Sequence, residues 1–171
     1  MNVDDPPRVI IVTSPKPRDG KSTTAANLAA AIALSGETVT LVDADLRRPT
    51  LADSLGLVEG AGLTDVLIGR ATLDDVLQPH AELGAQFAVL AAGNIPPNPS
   101  ELLGSQAMLG LLAELSLKGL VVVDAPPLLP VTDAVILTRH ADGAIIVVRH
   151  GETLDDELRA SISALEAASG K

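Results

Sequence analysis

The chain has 171 residues, 47% of them hydrophobic, and 12 Lys+Arg against 22 Asp+Glu give a formal net charge of −10. That length fits one domain with a sizeable core, while the acidic balance repels nucleic-acid backbones and anionic lipid surfaces. A single Phe with no Trp or Tyr leaves no stacking platform for single-stranded nucleic acid, and the absence of Cys excludes disulfides and thiolate metal sites.

The acidic lead-in Met1–Asp5 carries no charged-then-apolar leader signal and reads as solvated. The first strand candidate is Arg8–Thr13 (RVIIVT), followed by the loop Ser14-Pro15-Lys16-Pro17-Arg18-Asp19-Gly20 and a helix over Lys21–Ser35. Strand, Gly-containing loop, Lys-Ser and helix in that order form the context of a phosphate-binding loop. Gly20 lets backbone amides approach phosphate oxygens, and Lys21 supplies a point charge to the β- and γ-phosphates. Ser22 can ligate Mg²⁺, and the helix N-terminus adds partial positive charge. Pro17, Arg18, Asp19, Gly20, Lys21, Ser22 and Thr23 are therefore the expected nucleotide-binding residues, with ATP and Mg²⁺ as ligands. Pro15 stands where the strict pattern has Gly, so the loop is a deviant Walker A.

A second strand, Val39–Val42 (VTLV), runs into Asp43-Ala44-Asp45-Leu46-Arg47-Arg48-Pro49. Asp43 and Asp45 project to one side if the chain stays extended. A short helix is expected at Leu63–Ile68 and a strand at Gln86–Leu90. The run Pro96-Pro97-Asn98-Pro99 leads to a helix over Ser100–Leu115, with Asn98 as N-cap, Pro99 at the first position and Glu101 three residues after Asn98. The strand Leu120–Val123 ends on Asp124 and continues as Ala125-Pro126-Pro127, a Walker B arrangement in which a strand-tip aspartate holds Mg²⁺ directly or through water. Asp124 joins Ser22 as an expected metal ligand. Helices at Thr132–Arg139 and Leu154–Ala168 flank a last strand, Ala144–Val148, which is followed by Arg149. The last helix carries Leu154, Leu158, Ile162 and Leu165 at helical spacing, so it is expected to face the core and not a membrane. His80, His140 and His150 lack metal-ligand spacing, and Met108 and Phe87 are expected core residues.

Alternating apolar strands and helices predict an α/β fold: a mostly parallel central sheet with helices on both faces, the three-layer P-loop NTPase architecture, in a single domain over residues 1–171. In such sheets ligands bind beyond the carboxyl ends of the strands. No apolar run approaches the ~18 residues a membrane span requires. The domain is expected to be cytoplasmic, without nucleic-acid partners and without direct membrane insertion.

Four blocks resemble the cytoplasmic domain of the bacterial tyrosine kinases of capsular and exopolysaccharide export: the deviant Walker A through Leu28, VDADLRRPTL (Val42–Leu51), GNIPPNPSELL (Gly93–Leu103) and VVVDAPPLLPVTDA (Val121–Ala134). Gly62–Leu67 adds to the match. Relatives of the MinD/ParA type share the general Walker scheme, with Lys16 at the position of their signature lysine. The resemblance implies that Lys21 binds the transferring phosphoryl group. Asp43 would act as base or orienter for a tyrosine hydroxyl, and Asp45 and Asp124 would hold the magnesium; Arg149 matches an arginine of the family's VVR run and would be a further nucleotide contact. It also implies a transmembrane activator or chain-length-determinant partner, fused or separate, peripheral placement at the inner face of the cell membrane, and allows a homo-oligomer. The family's C-terminal tyrosine cluster and final strand, and its helix before the first strand, have no counterpart in these 171 residues. The chain is therefore expected to be a kinase domain shortened at both ends. The rival expectations are a MinD/ParA-type ATPase switch and a non-catalytic nucleotide-binding regulator of polysaccharide export.

Overall fold

The computed structural model describes residues 6–80 and 82–169; the expected lead-in Met1–Asp5 lies outside them. The strands β1 (Val9–Thr13), β2 (Val39–Asp43), β3 (Gln78–Pro79), β4 (Phe87–Leu90), β5 (Leu120–Asp124) and β6 (Gly143–Ile146) form one sheet in the order β3-β4-β2-β5-β1-β6. All neighbours are parallel except β3, which runs antiparallel to β4 at one edge. Helices are α1 (Lys21–Leu34), α2 (Leu51–Leu55), α3 (Leu63–Leu67), α4 (Leu73–Val76), α5 (Pro99–Leu103), α6 (Gln106–Lys118), α7 (Asp133–Thr138) and α8 (Asp155–Ser169).

The continuous apolar strands are explained by burial on both faces, with successive residues pointing to opposite sides. Val12, Leu41, Val122, Phe87 and Val89 face α1, which answers with Ala25, Ala29 and Ala33. Side chains this small, four residues apart, let the helix lie close against the sheet. Ile11, Val42, Leu90, Val121 and Val123 face the other way, onto Met108, Leu111, Leu112 and Leu115 of α6 and onto Ala134 and Leu137 of α7. Met108 and Phe87 are fully buried, as their sequence positions indicate.

Departures from the sequence expectations have local causes. The single helix over Ser100–Leu115 is two, because Ser105 leaves the helical path with extended backbone and accepts from Met108 N at 3.2 Å as the N-cap of α6. Asn98 and Pro99 do open α5, yet the Asn98 amide donates to Glu101 Oε2 at 2.7 Å and caps no backbone N–H. α2, α4 and β3 carry too few residues for a period to show in sequence. α8 packs beside α7 and leaves Leu154 (64% exposed) and Ile162 (40%) in solvent, so only part of its apolar stripe meets the core.

The α3 segment is tied to the turn after β4 largely through its backbone. Leu63 N donates to Ala91 O (2.8 Å) and Thr64 N to Ala92 O (3.0 Å), while Asp65 Oδ2 accepts from Gly62 N at 3.1 Å. A Cβ on Gly62 would stand 2.5 Å from Gly93 N, and Gly93 itself has φ +77. The two glycines thus bring the turn after β4 against the start of α3. Gly62→Ala is expected to destabilise by about 2 kcal/mol through overpacking, whereas Gly36→Ala, at φ +97 in open space, should cost about 1 kcal/mol of left-handed strain alone. Urea midpoints of the two variants test the ordering.

Candidate active site

Parallel register delivers the site. Val12 lies beside Asp124 and Asp43 beside Asp124, so the carboxyl ends of β1, β2 and β5 meet at one edge of the sheet. The β1–α1 loop is tied there by Thr13 Oγ1 donating to Pro126 O (2.7 Å), and by Leu128 N donating to Ser14 O (2.8 Å). Gly20, at φ +95, turns the chain into α1, and its carbonyl accepts from Thr24 N at 2.9 Å. Arg18, at φ +71, is the sole non-glycine residue with positive φ among the described residues. Strain of this kind persists where surrounding structure over-determines it, and it clusters at ligand-binding loops.

Lys21 is buried, and its ammonium is the centre of the arrangement. It stands 2.9 Å from Asp45 Oδ2, 3.2 Å from Asp124 Oδ1 and 3.2 Å from Ser22 Oγ. Burial opposes the ammonium charge, but Asp124 and Asp45 outweigh it and hold the Lys21 pKa above its ordinary value. Burial likewise pushes the Asp124 carboxyl up, against the pull of Lys21 and Ser22. Asp124 Oδ2 is buried without a hydrogen-bond partner, which is costly unless a ligand completes it.

Asp43 is fully buried. Its carboxylate accepts from three backbone amides: Asp45 N (3.2 Å) on Oδ1, and Thr50 N (3.2 Å) and Leu51 N (3.1 Å) on Oδ2. Burial, then Asp124, push its pKa up to about 7. The carboxylate clamps the turn from Asp45 to Leu51 from behind.

A cavity of about 650 Å³ opens beside Lys21 and Asp45; Asp43 and Asp124, both fully buried, stand behind its lining. Of the expected residues, Pro17, Arg18, Gly20, Lys21, Ser22, Thr23 and Asp45 line it. The Asp19 side chain turns into its own loop, where Oδ2 accepts from Lys16 N at 3.1 Å. Arg149 lies outside this lining, with its guanidinium 3.3 Å from Glu152 Oε1 within an exposed turn. Lys16 is engaged within its own chain, 2.8 Å from Glu157 Oε2 of α8 and 3.2 Å from Glu152 O.

The lining is completed by Thr50, Pro126, Pro127, Pro130 and Val131, which sequence reasoning did not assign, and by Arg47 and Arg48 of the VDADLRRPTL block. Arg47 bridges to a fully buried Asp133, Nε–Oδ2 2.7 Å and Nη2–Oδ1 3.3 Å. Ser100 Oγ donates to the same Asp133 Oδ1 at 2.5 Å. Asp133 reads in sequence as a first-turn helix acid, and nothing in that position announces a partner 86 residues away. The one available signal was its place inside a motif block.

Among the described residues no three His, Cys, Asp or Glu side chains are grouped to hold a metal unaided. Mg²⁺ does not need them: it is ordinarily held by one or two carboxylates together with substrate phosphates and water. Ser22, Asp45 and the orphaned Oδ2 of Asp124 fit that requirement.

The CobQ/CobB/MinD/ParA nucleotide-binding-domain family model matches residues 10–144. The tyrosine-protein kinase YwqD of Bacillus subtilis is 40% identical over 171 residues, covering 99% of this chain and 71% of the relative. The tyrosine-protein kinase wzc of Salmonella typhimurium is 38% identical over 156 residues, but this chain spans 21% of its length. Among solved structures, the kinase domain of Escherichia coli tyrosine kinase ETK superposes with a TM-score of 0.92 at 35% identity, covering 98% of this chain and 65% of that one. Sequence motifs, fold and comparisons converge: this chain belongs to the CobQ/CobB/MinD/ParA nucleotide-binding family and, within it, to the bacterial tyrosine-protein kinases.

Proposed function

We propose that this domain transfers the γ-phosphoryl group of Mg-ATP to a tyrosine hydroxyl, in the service of exopolysaccharide or capsule polymerisation and export. The observation that carries the reading is the Lys21 ammonium held between Asp45 and Asp124 at the mouth of the phosphate loop. Transfer of this kind asks mainly for positioning and charge neutralisation, and the arrangement supplies both. The loop amides and Lys21 bind the phosphates, and Arg18 adds a cation on the cavity wall. Bound Mg²⁺, held by Ser22, Asp45 and Asp124, would neutralise charge developing on the phosphoryl oxygens.

Asp43 keeps the turn bearing Asp45 in place. With its pKa pushed up to about 7, it also has the basicity a proton acceptor needs at neutral pH. Reaching an acceptor hydroxyl requires the Thr50 and Leu51 amides to release it. The 171 residues contain no tyrosine, so the acceptor hydroxyl lies outside them. A transmembrane activator, placement at the inner face of the membrane and homo-oligomeric assembly belong to the same proposal; no helix among the described residues is long and apolar enough to cross a membrane. The rival ATPase switch drew on Lys16, which is engaged by Glu157 of its own chain.

Incubation with Mg-ATP and a tyrosine-rich peptide, followed by phosphotyrosine detection, tests the reading. Lys21→Met should abolish the product and Asp43→Asn should lower its rate by about a hundredfold or more. Phosphotyrosine that survives both substitutions sinks the assigned mechanism, and ATP hydrolysis without phosphotyrosine favours the switch. Separately, Mg-ATP at about a hundred times its Kd should stabilise the domain by about 2.7 kcal/mol. Asp124→Asn should erase the difference between Mg-ATP and ATP with EDTA, read as a thermal shift.

A further inference from the structure

Of the three residues that fit a magnesium ion, Asp124 ends a strand and Ser22 lies in the first turn of a helix, but Asp45 stands in a turn. Strands and helices are held by their own hydrogen-bond ladders; a turn needs other anchors. Two lie inside the fold. The Asp43 carboxylate accepts from Asp45 N, Thr50 N and Leu51 N, and Leu46 is buried in the core.

Arg47 and Arg48, between those anchors, are exposed, yet the group that aims Asp45 belongs to them. Asp45 Oδ1 accepts from Arg48 N at 3.1 Å, while Oδ2 lies 2.9 Å from the Lys21 ammonium. That amide is the peptide link between Arg47 and Arg48, so its direction depends on where Arg47 is kept.

Arg47 is kept by its side chain. Nε donates to Asp133 Oδ2 at 2.7 Å and Nη2 to Oδ1 at 3.3 Å, a two-point grip that fixes the guanidinium plane. Ser100 Oγ donates to Asp133 Oδ1 at 2.5 Å and accepts from Arg47 Nη2 at 3.2 Å. Asp133, the first residue of α7, is fully buried, and Ser100 lies in α5. A carboxylate so placed is tolerated only when paired and hydrogen-bonded, so acid and arginine hold each other. The helices α5 and α7, which pack together, thus supply the turn's outer anchor.

We infer that Asp133 and Ser100 are positioning residues for the active site: through Arg47 they set the peptide that orients the Asp45 carboxylate, and with it the magnesium contribution to nucleotide binding. The inference rests on the proposed role of Asp45 as a magnesium ligand and is independent of the phosphoryl acceptor.

The test is calorimetric titration of the 171-residue chain with a non-hydrolysable ATP analogue, in Mg²⁺ and in EDTA. The ratio of the two affinities is the metal advantage. Ser100→Ala leaves the Arg47–Asp133 ion pair in place, so it is preferred to any change of the buried acid. It should lower the metal advantage about fivefold, the worth of one hydrogen bond, and leave the EDTA affinity unchanged. Ser100→Thr, which keeps the hydroxyl, should restore the advantage, and Arg47→Lys, which loses the two-point grip, should lower it about tenfold. In an Asp45→Asn background Ser100→Ala should change nothing further, because the two act through one carboxylate.

An unchanged metal advantage in Ser100→Ala overturns the inference. So does an equal loss of affinity in Mg²⁺ and EDTA, or a full additional loss in the Asp45→Asn background. A metal advantage that Asp45→Asn itself leaves intact removes the magnesium role of Asp45 and the inference with it, whereas an effect of Asp45→Asn without one of Ser100→Ala removes the inference alone.

Discussion

Everything functional in this domain hangs on one buried ammonium. Lys21 lies within 3.2 Å of two carboxylates, Asp45 in the turn after β2 and Asp124 at the end of β5, and of the hydroxyl of Ser22. Buried charges are tolerated only when paired and hydrogen-bonded, so the cation and the acids define one another's places. Remove the lysine and Asp45 and Asp124 become like charges at short range. Keep it, and the same groups stay preassembled at the mouth of the phosphate loop, the frame the proposed Mg-ATP site would use. The unpartnered Oδ2 of Asp124 shows where the frame is incomplete.

The frame is precise because parallel pairing is. Asp43 lies opposite Asp124 across β2 and β5, and Val12 opposite Asp124 across β1 and β5. A slip of one residue would turn each aspartate to the other face of the sheet. Burial of the strands on both faces is what forbids the slip, through Ala25, Ala29 and Ala33 on one side and Met108, Leu111, Leu112 and Leu115 on the other. The aliphatic composition thus bears directly on the chemistry.

A second buried acid organises the rest of the cavity. Asp133 gathers Arg47 and Ser100, while the Gly62–Gly93 approach docks α3 against the turn after β4. The segments that looked most distinctive in sequence, DLRRP and GNIPPNPSELL, are therefore joined through the core and not independent signatures. Arg149 illustrates the opposite case: its ion pair is local, with Glu152 three residues on, and ties it to no distant segment.

Order along the chain was enough to read the α/β alternation, the phosphate loop and the strand-tip aspartates, because each is a local pattern: an apolar run, a Gly-Lys-Ser turn, an acid where a strand stops. The short helices α2 and α4 stayed hidden, since a single turn carries no period, and the break at Ser105 was masked by apolar residues on both sides of it. By itself the sequence determined the strand–loop–helix pattern of the phosphate loop and which strands must be buried. Only the tertiary structure decided that Asp45 faces the cavity while Asp43 stands behind it, that Lys16 is spent on Glu157, and that Asp133 holds Arg47. Those outcomes depend on distances between residues up to 141 positions apart (Lys16 to Glu157), set by register and packing, which no local pattern encodes.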